Sequence, residues 1–152
     1  MTAQPYKVDV RSLDAFSARD LYAMLKLRVD VFVVEQECPY PELDGNDPQC
    51  LHLRLLDGTD LLACARIWRP DPQRPPRIGR VAVSPVHRGK RLGEALMREA
   101  ITECEKLHPH EPIELSAQSH LVKFYGSLGF EPVSEEYLED GIPHTDMRRP
   151  AS

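Results

Sequence analysis

A chain of 152 residues is the size of one domain, and 41% hydrophobic with 28% charged residues is an ordinary globular composition. The formal charge of −5 excludes broad binding to a nucleic-acid backbone, which needs clustered lysine and arginine. No apolar stretch approaches the ~20 residues of a membrane span, and the first residues lack the pattern of a secretory signal. We therefore expect one domain over residues 1–152, located in the cytoplasm, with no nucleic-acid or membrane partner.

The first half of the chain predicts a strand, a helix and a strand pair. Residues 6–10 alternate as a strand, and the Ser17 to Asp20 capping box opens a helix that reaches residue 32. Arg28 is the one polar interruption of its apolar stripe. Residues 35–48 hold three prolines, a glycine and five acidic residues, which predicts a loop or a short helix between turns. Two strands follow at 51–56 and 61–68, joined at Asp57-Gly58.

The second half predicts alternating strands and helices. Residues 70–76 contain four prolines and are expected to be irregular. Strands are predicted at 78–84 and 113–117, and helices at 92–107 and 119–128. A final strand pair is predicted at 130–138 and 144–148. Gly129 is suited to stop the second of these helices. This order predicts an α/β domain with a mixed sheet.

The four cysteines are widely spaced and form no Cys-x-x-Cys pair. The spacing indicates free thiols rather than a disulfide framework or a metal site. They are Cys38, Cys50, Cys64 and Cys104.

The turn after the strand at 78–84 carries the clearest chemical signal. It is basic, it contains Gly89, and it opens a helix whose first N–H groups lack intrahelical acceptors. Such an end binds anions such as a pyrophosphate, and Gly89 and Gly93 allow close approach of the backbone. Arg88, Lys90 and Arg91 add positive charge. The competing interpretation is a solvated basic turn at a helix start.

This segment resembles the central motif of the GNAT superfamily of N-acetyltransferases, Arg/Gln-x-x-Gly-x-Gly/Ala. Arg88 takes its first place and Gly93 its last, whereas Arg91 stands where the middle glycine is usual. The resemblance tolerates this departure if Arg91 has ordinary helical backbone angles and offers only its amide. A second match, Phe-Tyr-Gly-Ser-Leu-Gly-Phe at residues 124–130, resembles another signature of the family. Residues 31–40, 44–47 and 139–144 are similar to its ElaA-like branch.

The resemblance implies the GNAT (acyl-CoA N-acyltransferase) fold, with a mixed central sheet splayed in the middle and helices on both faces. It implies acetyl-CoA as cosubstrate, no metal, and a small-molecule or peptide amine as acceptor. Homodimers are common in the family, and the sequence leaves the oligomeric state open. The expected cofactor-binding residues are Val81, Ala82, Val83, Arg88, Gly89, Lys90, Arg91, Leu92, Gly93 and Gln118.

The resemblance also implies that Tyr125 is the general acid that protonates the leaving thiolate. The identity of the general base is left open among Glu35, His120 and His144. Some family members carry a glutamate on the strand before the phosphate turn, but this chain has Arg80 near that place. Glu35, Asp44 and His144 are candidates for the acceptor side, although an acidic run such as residues 35–47 more often forms a solvated loop. We expect Arg66, on a central strand, to pair with a buried carboxylate.

Two other classes of function fit the sequence. One is a non-catalytic acyl-CoA sensor or interaction module that keeps the fold and the cleft. The other is a nucleotide-binding protein that uses the basic turn. Tyr125 favours the enzyme, and the missing strand glutamate favours the sensor.

Overall fold

The computed structural model describes residues 5–151, whose strands form one mixed sheet. The strands are β1 (Lys7–Ser12), β2 (Cys50–Asp57), β3 (Asp60–Trp68), β4 (Arg77–Val83), β5 (Ile113–Gln118), β6 (Glu131–Pro132), β7 (Tyr137–Glu139) and β8 (Ile142–Arg149). The order across the sheet is β1-β2-β3-β4-β5-β8-β6, and β7 also pairs with β8. Only the β4–β5 pair is parallel. This is the α/β fold with a mixed sheet that the element order predicts.

The helices begin near the predicted residues. They are α1 (Ala18–Val29), α2 (Leu92–Leu107) and α3 (Val122–Gly126). The Ser17 hydroxyl accepts the N–H of Asp20 at 3.1 Å, as a capping serine does. A wider π-helical segment, Asp30–Glu35, continues α1. No helix in the described part of the chain is long and apolar enough to span a membrane.

Helices pack on both faces of the sheet. On one face α1 and the π-helical segment contribute Met24 and Val31 to a core with Cys64 and Ala82. On the other face α2 and α3 pack on β2, β3, β4, β5 and β8 in a larger core. Since neighbouring residues of a strand point to opposite faces, Cys64, Arg66 and Trp68 share the α1 face.

The sheet is splayed between β4 and β5, as expected. Only Arg77 with Glu114 and Ile78 with Leu115 are in register, and beyond Ile78 the two strands have no pairing with each other. A bulge lies at the same point, because the β3–β4 register shifts between Cys64 and Arg66, and Arg80 has a φ of 50°. Bulges bend a strand and increase its twist. The bulge therefore turns the end of β4 away from β5.

Three expectations differ from the structure. Residues 130–138 form two short strands, β6 and β7, because both pair with different parts of the longer β8. The acidic segment is only partly solvated, since Glu35, Glu37 and Asp44 are exposed but Glu42 and Asp47 are buried. Arg91 is not helical but left-handed, with a φ of 59° and a ψ of 25°.

Candidate active site

A cleft of about 970 Å³ opens where β4 and β5 separate. It brings together every predicted site residue except Lys90, whose exposed side chain lies outside its lining. The predicted residues that line it are Glu35, Asp44, Val81, Ala82, Val83, Arg88, Gly89, Arg91, Leu92, Gly93, Gln118, His120, Tyr125 and His144.

A cradle of unpaired backbone amides forms one end of the cleft. The first N–H to find a carbonyl is that of Ala95, which bonds Arg91 at 3.1 Å. Within the described chain, the N–H groups of residues 89–94 have no acceptor. Together with the dipole of the 16-residue helix α2, these donors make a binding site for an anion.

The left-handed backbone of Arg91 explains why a glycine is usual at this place. Gly89 has a φ of 83°, and Arg91 follows two residues later at 59°. Left-handed residues in a turn direct successive N–H groups into one concavity. An arginine in this conformation costs about 1 kcal/mol more than a glycine. The condition of helical angles is therefore not met, and Arg91 has the left-handed angles that a glycine adopts more readily.

Arg88 and Glu35 form a two-pronged ion pair across the mouth of the cleft. The Arg88 Nη2 donates to Glu35 Oε1 at 2.7 Å, its Nη1 donates to the other oxygen, and its Nε donates to the carbonyl of Val83 at 3.3 Å. Hydrogen bonding to Arg88 holds the pKa of Glu35 below its ordinary value. A carboxylate held in this way is a weak proton acceptor, which argues against Glu35 as the base.

Tyr125 lies deep in the cleft. Its residue surface is only 7% exposed, and Phe124 and Phe130 pack edge-on against the ring at centroid distances of 5.1 and 6.2 Å. Desolvation by burial raises the pKa of the phenol to about 12. No group in residues 5–151 hydrogen-bonds the hydroxyl. A protonated phenol without a protein partner is suited to donate to a bound molecule.

The histidines of the cleft differ in their surroundings. His144 is 8% exposed, its Nδ1 lies 2.7 Å from the carbonyl of Ile142, and its Nε2 lies 3.5 Å from the Glu139 carboxylate. A carbonyl only accepts, so Nδ1 donates its proton to Ile142, and in the neutral imidazole the lone pair is on Nε2. His120 is exposed. The structure therefore orients His144 and leaves His120 in solvent.

A network of buried arginines and carboxylates anchors the acidic segment to the sheet. Arg28, 1% exposed, donates to Glu42 at 2.8 Å and to Asp47 at 2.8 Å. Arg66 donates to Asp44 at 3.0 Å and to Asp47 at 3.2 Å, which confirms that it pairs with a buried carboxylate.

This network is the physical reason why Glu42 and Asp47 are not solvated, and it occupies Asp44, a candidate for the acceptor side. Sequence reasoning predicted the pairing of Arg66 but missed that of Arg28, although the interruption of the apolar stripe of α1 by Arg28 was its signal. No sequence signal pointed to Arg77 and Trp68, which also line the cleft.

A strand pair splayed beside a cradle of free amides is the architecture of acyl-CoA-dependent acyltransferases, and the chain belongs to the GNAT family. The family model of an acetyltransferase (GNAT) domain matches residues 27–150. The chain is an ElaA-like member: it is 46% identical over 136 residues to Protein ElaA of Escherichia coli, covering 88% of this chain and 89% of that protein.

Solved structures agree with this assignment. Escherichia coli ElaA superposes with a TM-score of 0.89 at 42% identity, covering 95% of this chain and 99% of the other. An acyl-CoA N-acyltransferase from Pseudomonas aeruginosa superposes with a TM-score of 0.88 at 43% identity, with the same coverage. These likenesses support acyl-CoA-dependent acyl transfer as the class of activity.

Proposed function

We propose that this protein transfers the acetyl group of acetyl-CoA to a primary amine by direct attack within a ternary complex. The observation that carries the proposal is the joint presence, in one cleft, of an unpaired amide cradle and the buried Tyr125 phenol. The cradle suits the pyrophosphate of CoA, and the phenol suits a leaving thiolate. The acceptor amine belongs to a small molecule or a peptide, and the reaction takes place in the cytoplasm.

The free edge of β4 supports the binding of an extended thioester. From residue 79 to Val83 this strand pairs only with β3, so its other edge offers backbone groups to the cleft. The pantetheine arm carries two amides and would add to this edge as a short strand does. Gly93 would also help to bind the thioester. A Cβ added to it would lie 3.8 Å from Phe124 and 3.9 Å from Val83, so the backbone of α2 comes close to these two side chains.

In the proposed reaction the amine attacks the thioester carbonyl, a tetrahedral oxyanion forms, and the C–S bond breaks to release CoA. Orienting the two reactants in one cleft supplies roughly 7–11 kcal/mol of the barrier. A backbone N–H near Val81 would stabilise the oxyanion. Tyr125 would give its proton to the sulfur as it leaves.

We assign the base to His144, with Glu139 beside it. The orientation by Ile142 leaves Nε2 free to accept a proton from the amine, directly or through a water molecule. The carboxylate 3.5 Å away would stabilise the imidazolium that results. Glu35 is less suited because Arg88 holds it, and His120 is less suited because nothing orients it.

The test is release of free thiol from acetyl-CoA in the presence of a panel of amines. We expect thiol to appear only when an acceptor amine is present, with formation of the N-acetyl product by mass spectrometry. Acetyl-CoA binding without thiol release from any amine would contradict the proposal and support the non-catalytic sensor. Binding of ATP or NAD that CoA does not displace would support the nucleotide-binding alternative.

A further inference from the structure

Most arginines that line the cleft are held by carboxylates. Arg66 is paired with Asp44, Arg80 lies 3.1 Å from Glu42, and Arg88 is paired with Glu35. Two cleft arginines, Arg77 and Arg91, have no carboxylate partner among residues 5–151. Arg91 belongs to the cradle, where the proposed function places phosphates. Arg77 lies at the start of β4, at the opposite end of that strand, and its charge is unexplained.

The side chain of Arg77 is oriented and yet free to donate. Its guanidinium carbon lies 4.8 Å from the ring centroid of Trp68, over the ring. A guanidinium stacked by its face keeps its N–H edge available for hydrogen bonds. Glu114, the register partner of Arg77 on β5, is instead held by Arg148 at 2.6 Å. Arg77 therefore presents a positioned fork of donors that has no acceptor in the described part of the chain.

Gly79, which lies between Arg77 and the proposed reacting centre, leaves space beside the strand. Arg77 pairs with Trp68 and Gly79 pairs with Arg66, so these four residues share the face of the sheet opposite to α2 and α3. A Cβ at Gly79 would meet nothing within 4 Å. At about 3.3 Å per residue, the backbones of Arg77 and Val81 lie at most about 13 Å apart, because the bulge at Arg80 shortens the strand. The side chain of Arg77 extends over part of this distance. An extended molecule several bonds long would span this distance.

We propose that Arg77 binds a carboxylate of the acyl acceptor, so that the preferred acceptors are amines that also carry a carboxylate several bonds away. This inference rests on the proposed function for the identity of the acceptor. The planar fork of a guanidinium matches a carboxylate in a two-pronged geometry. One arginine also matches the single negative charge of a carboxylate, whereas a phosphate dianion carries a second charge that has no partner here.

Binding can be measured without turnover, because Trp68 is the single tryptophan of the chain. The probes are 6-acetamidohexanoate, which represents an acetylated product with a carboxylate, and its neutral carboxamide. We expect the carboxylate to change the fluorescence of Trp68 in a saturable way and to bind at least tenfold more tightly than the carboxamide. Equal affinity for the two probes would overturn the inference. An N-acetylated amine with a terminal phosphate serves as a third probe, and tighter binding of this probe than of the carboxylate would overturn it as well.

The matched variants are Arg77→Gln, which removes an arginine over the Trp68 ring, and Arg69→Gln, which removes the arginine that follows Trp68 in the sequence. Arg69 is exposed and lies outside the cleft lining. We expect Arg77→Gln to lose at least tenfold in affinity for the carboxylate and Arg69→Gln to lose none. Arg77→Lys, which keeps the charge without the fork, should bind with intermediate affinity. Unchanged affinity in both Arg77 variants would overturn the inference.

Acetyl transfer to 6-aminohexanoate and to hexylamine separates this inference from the proposed function. A higher kcat/KM for the amino acid in the parent, reduced in Arg77→Gln, supports both. The absence of transfer to any amine contradicts the proposed function alone, since the fluorescence titration still reports whether Arg77 binds a carboxylate.

Discussion

Tyr125 illustrates how burial prepares a side chain for chemistry. Desolvation raises the pKa of its phenol to about 12, so the proton is retained at neutral pH. The same burial removes competing hydrogen bonds from the protein, and the hydroxyl keeps its donor for a bound molecule. The proposed acid is therefore ready without help from a neighbouring charge.

Replacing Tyr125 by phenylalanine is expected to lower kcat roughly 100-fold, the usual scale for one acid–base group. The affinity for acetyl-CoA should stay within about twofold, because the ring and its packing remain. Since the raised pKa keeps the phenol protonated, the ratio of parent to variant rates should be constant between about pH 6 and pH 9. Steady-state kinetics across this range test the prediction, and a ratio that falls toward high pH would contradict it.

Glu35 is expected to be dispensable for turnover. Replacing it by glutamine removes the charge that holds Arg88, so the guanidinium becomes free to approach the phosphates. We expect kcat within about twofold of the parent and an affinity for acetyl-CoA that is equal or higher. Arg88→Gln is the matched control and should weaken that affinity. A large loss of kcat in Glu35→Gln, with unchanged affinity, would return Glu35 to the role of base.

His144 is expected to be the histidine on which turnover depends. His144→Ala should lower kcat roughly 100-fold, and added imidazole should restore part of the rate, because a small base can enter the vacated volume. His120→Ala removes the exposed histidine of the same cleft and should have little effect. Kinetics with and without imidazole test the assignment; a loss of rate that imidazole does not reverse would indicate a positioning role instead.

The elements of the cleft depend on one another through the buried ion network. Arg28 on α1 holds Glu42 and Asp47 of the acidic segment, and Arg80 at the bulge of β4 reaches the same Glu42. The network therefore connects a helix, a loop and the strand that bends away from β5. It is the means by which a segment with three prolines is fixed against the sheet.

Breaking this network should destabilise the fold. Asp47→Asn leaves Arg28 and Arg66 short of a buried negative charge, and losing one partner of such a pair costs about 3 kcal/mol. Chemical denaturation would measure this loss. Asp30→Asn, which removes the partner of Lys26 at the surface, is the control and should change the free energy of unfolding by less than about 1 kcal/mol.

The same residues predict how stability depends on pH. Burial alone would raise the pKa of Asp47, but hydrogen bonds and charge from Arg28 outweigh it, and the pKa is lowered. A carboxylate whose pKa is lower in the folded state stabilises the protein above its unfolded pKa, near 4, and this stability is lost as the pH falls through the folded value. In Asp47→Asn the decrease in stability below about pH 4 should therefore be smaller than in the parent.

Much of the molecule could be predicted because local patterns agree with the fold. The capping serine and the order of strands and helices predicted the helix start and the mixed α/β sheet, and the resemblance carried by the two motifs implied the splay and the cleft. What could not be predicted depends on contacts distant in sequence. Arg28 and Asp47 lie 19 residues apart and meet only because the sheet brings them together. The left-handed Arg91 likewise follows from the shape of the cradle rather than from the preference of the residue.

Ligand binding should stabilise the whole chain, because the cradle forms only in the folded state. Acetyl-CoA at about 100 times its Kd adds about 2.7 kcal/mol. For a chain of this size the Tm should rise by roughly 5–10 °C. Gly93→Glu should abolish this rise, since its side chain brings bulk and negative charge to the phosphate site. Gly93→Ala is the matched control: its Cβ lies in ordinary contact, 3.8 Å from Phe124, so the rise should persist. Thermal unfolding of both variants with and without acetyl-CoA measures the effect, and an undiminished rise in Gly93→Glu would mean that the phosphates bind elsewhere.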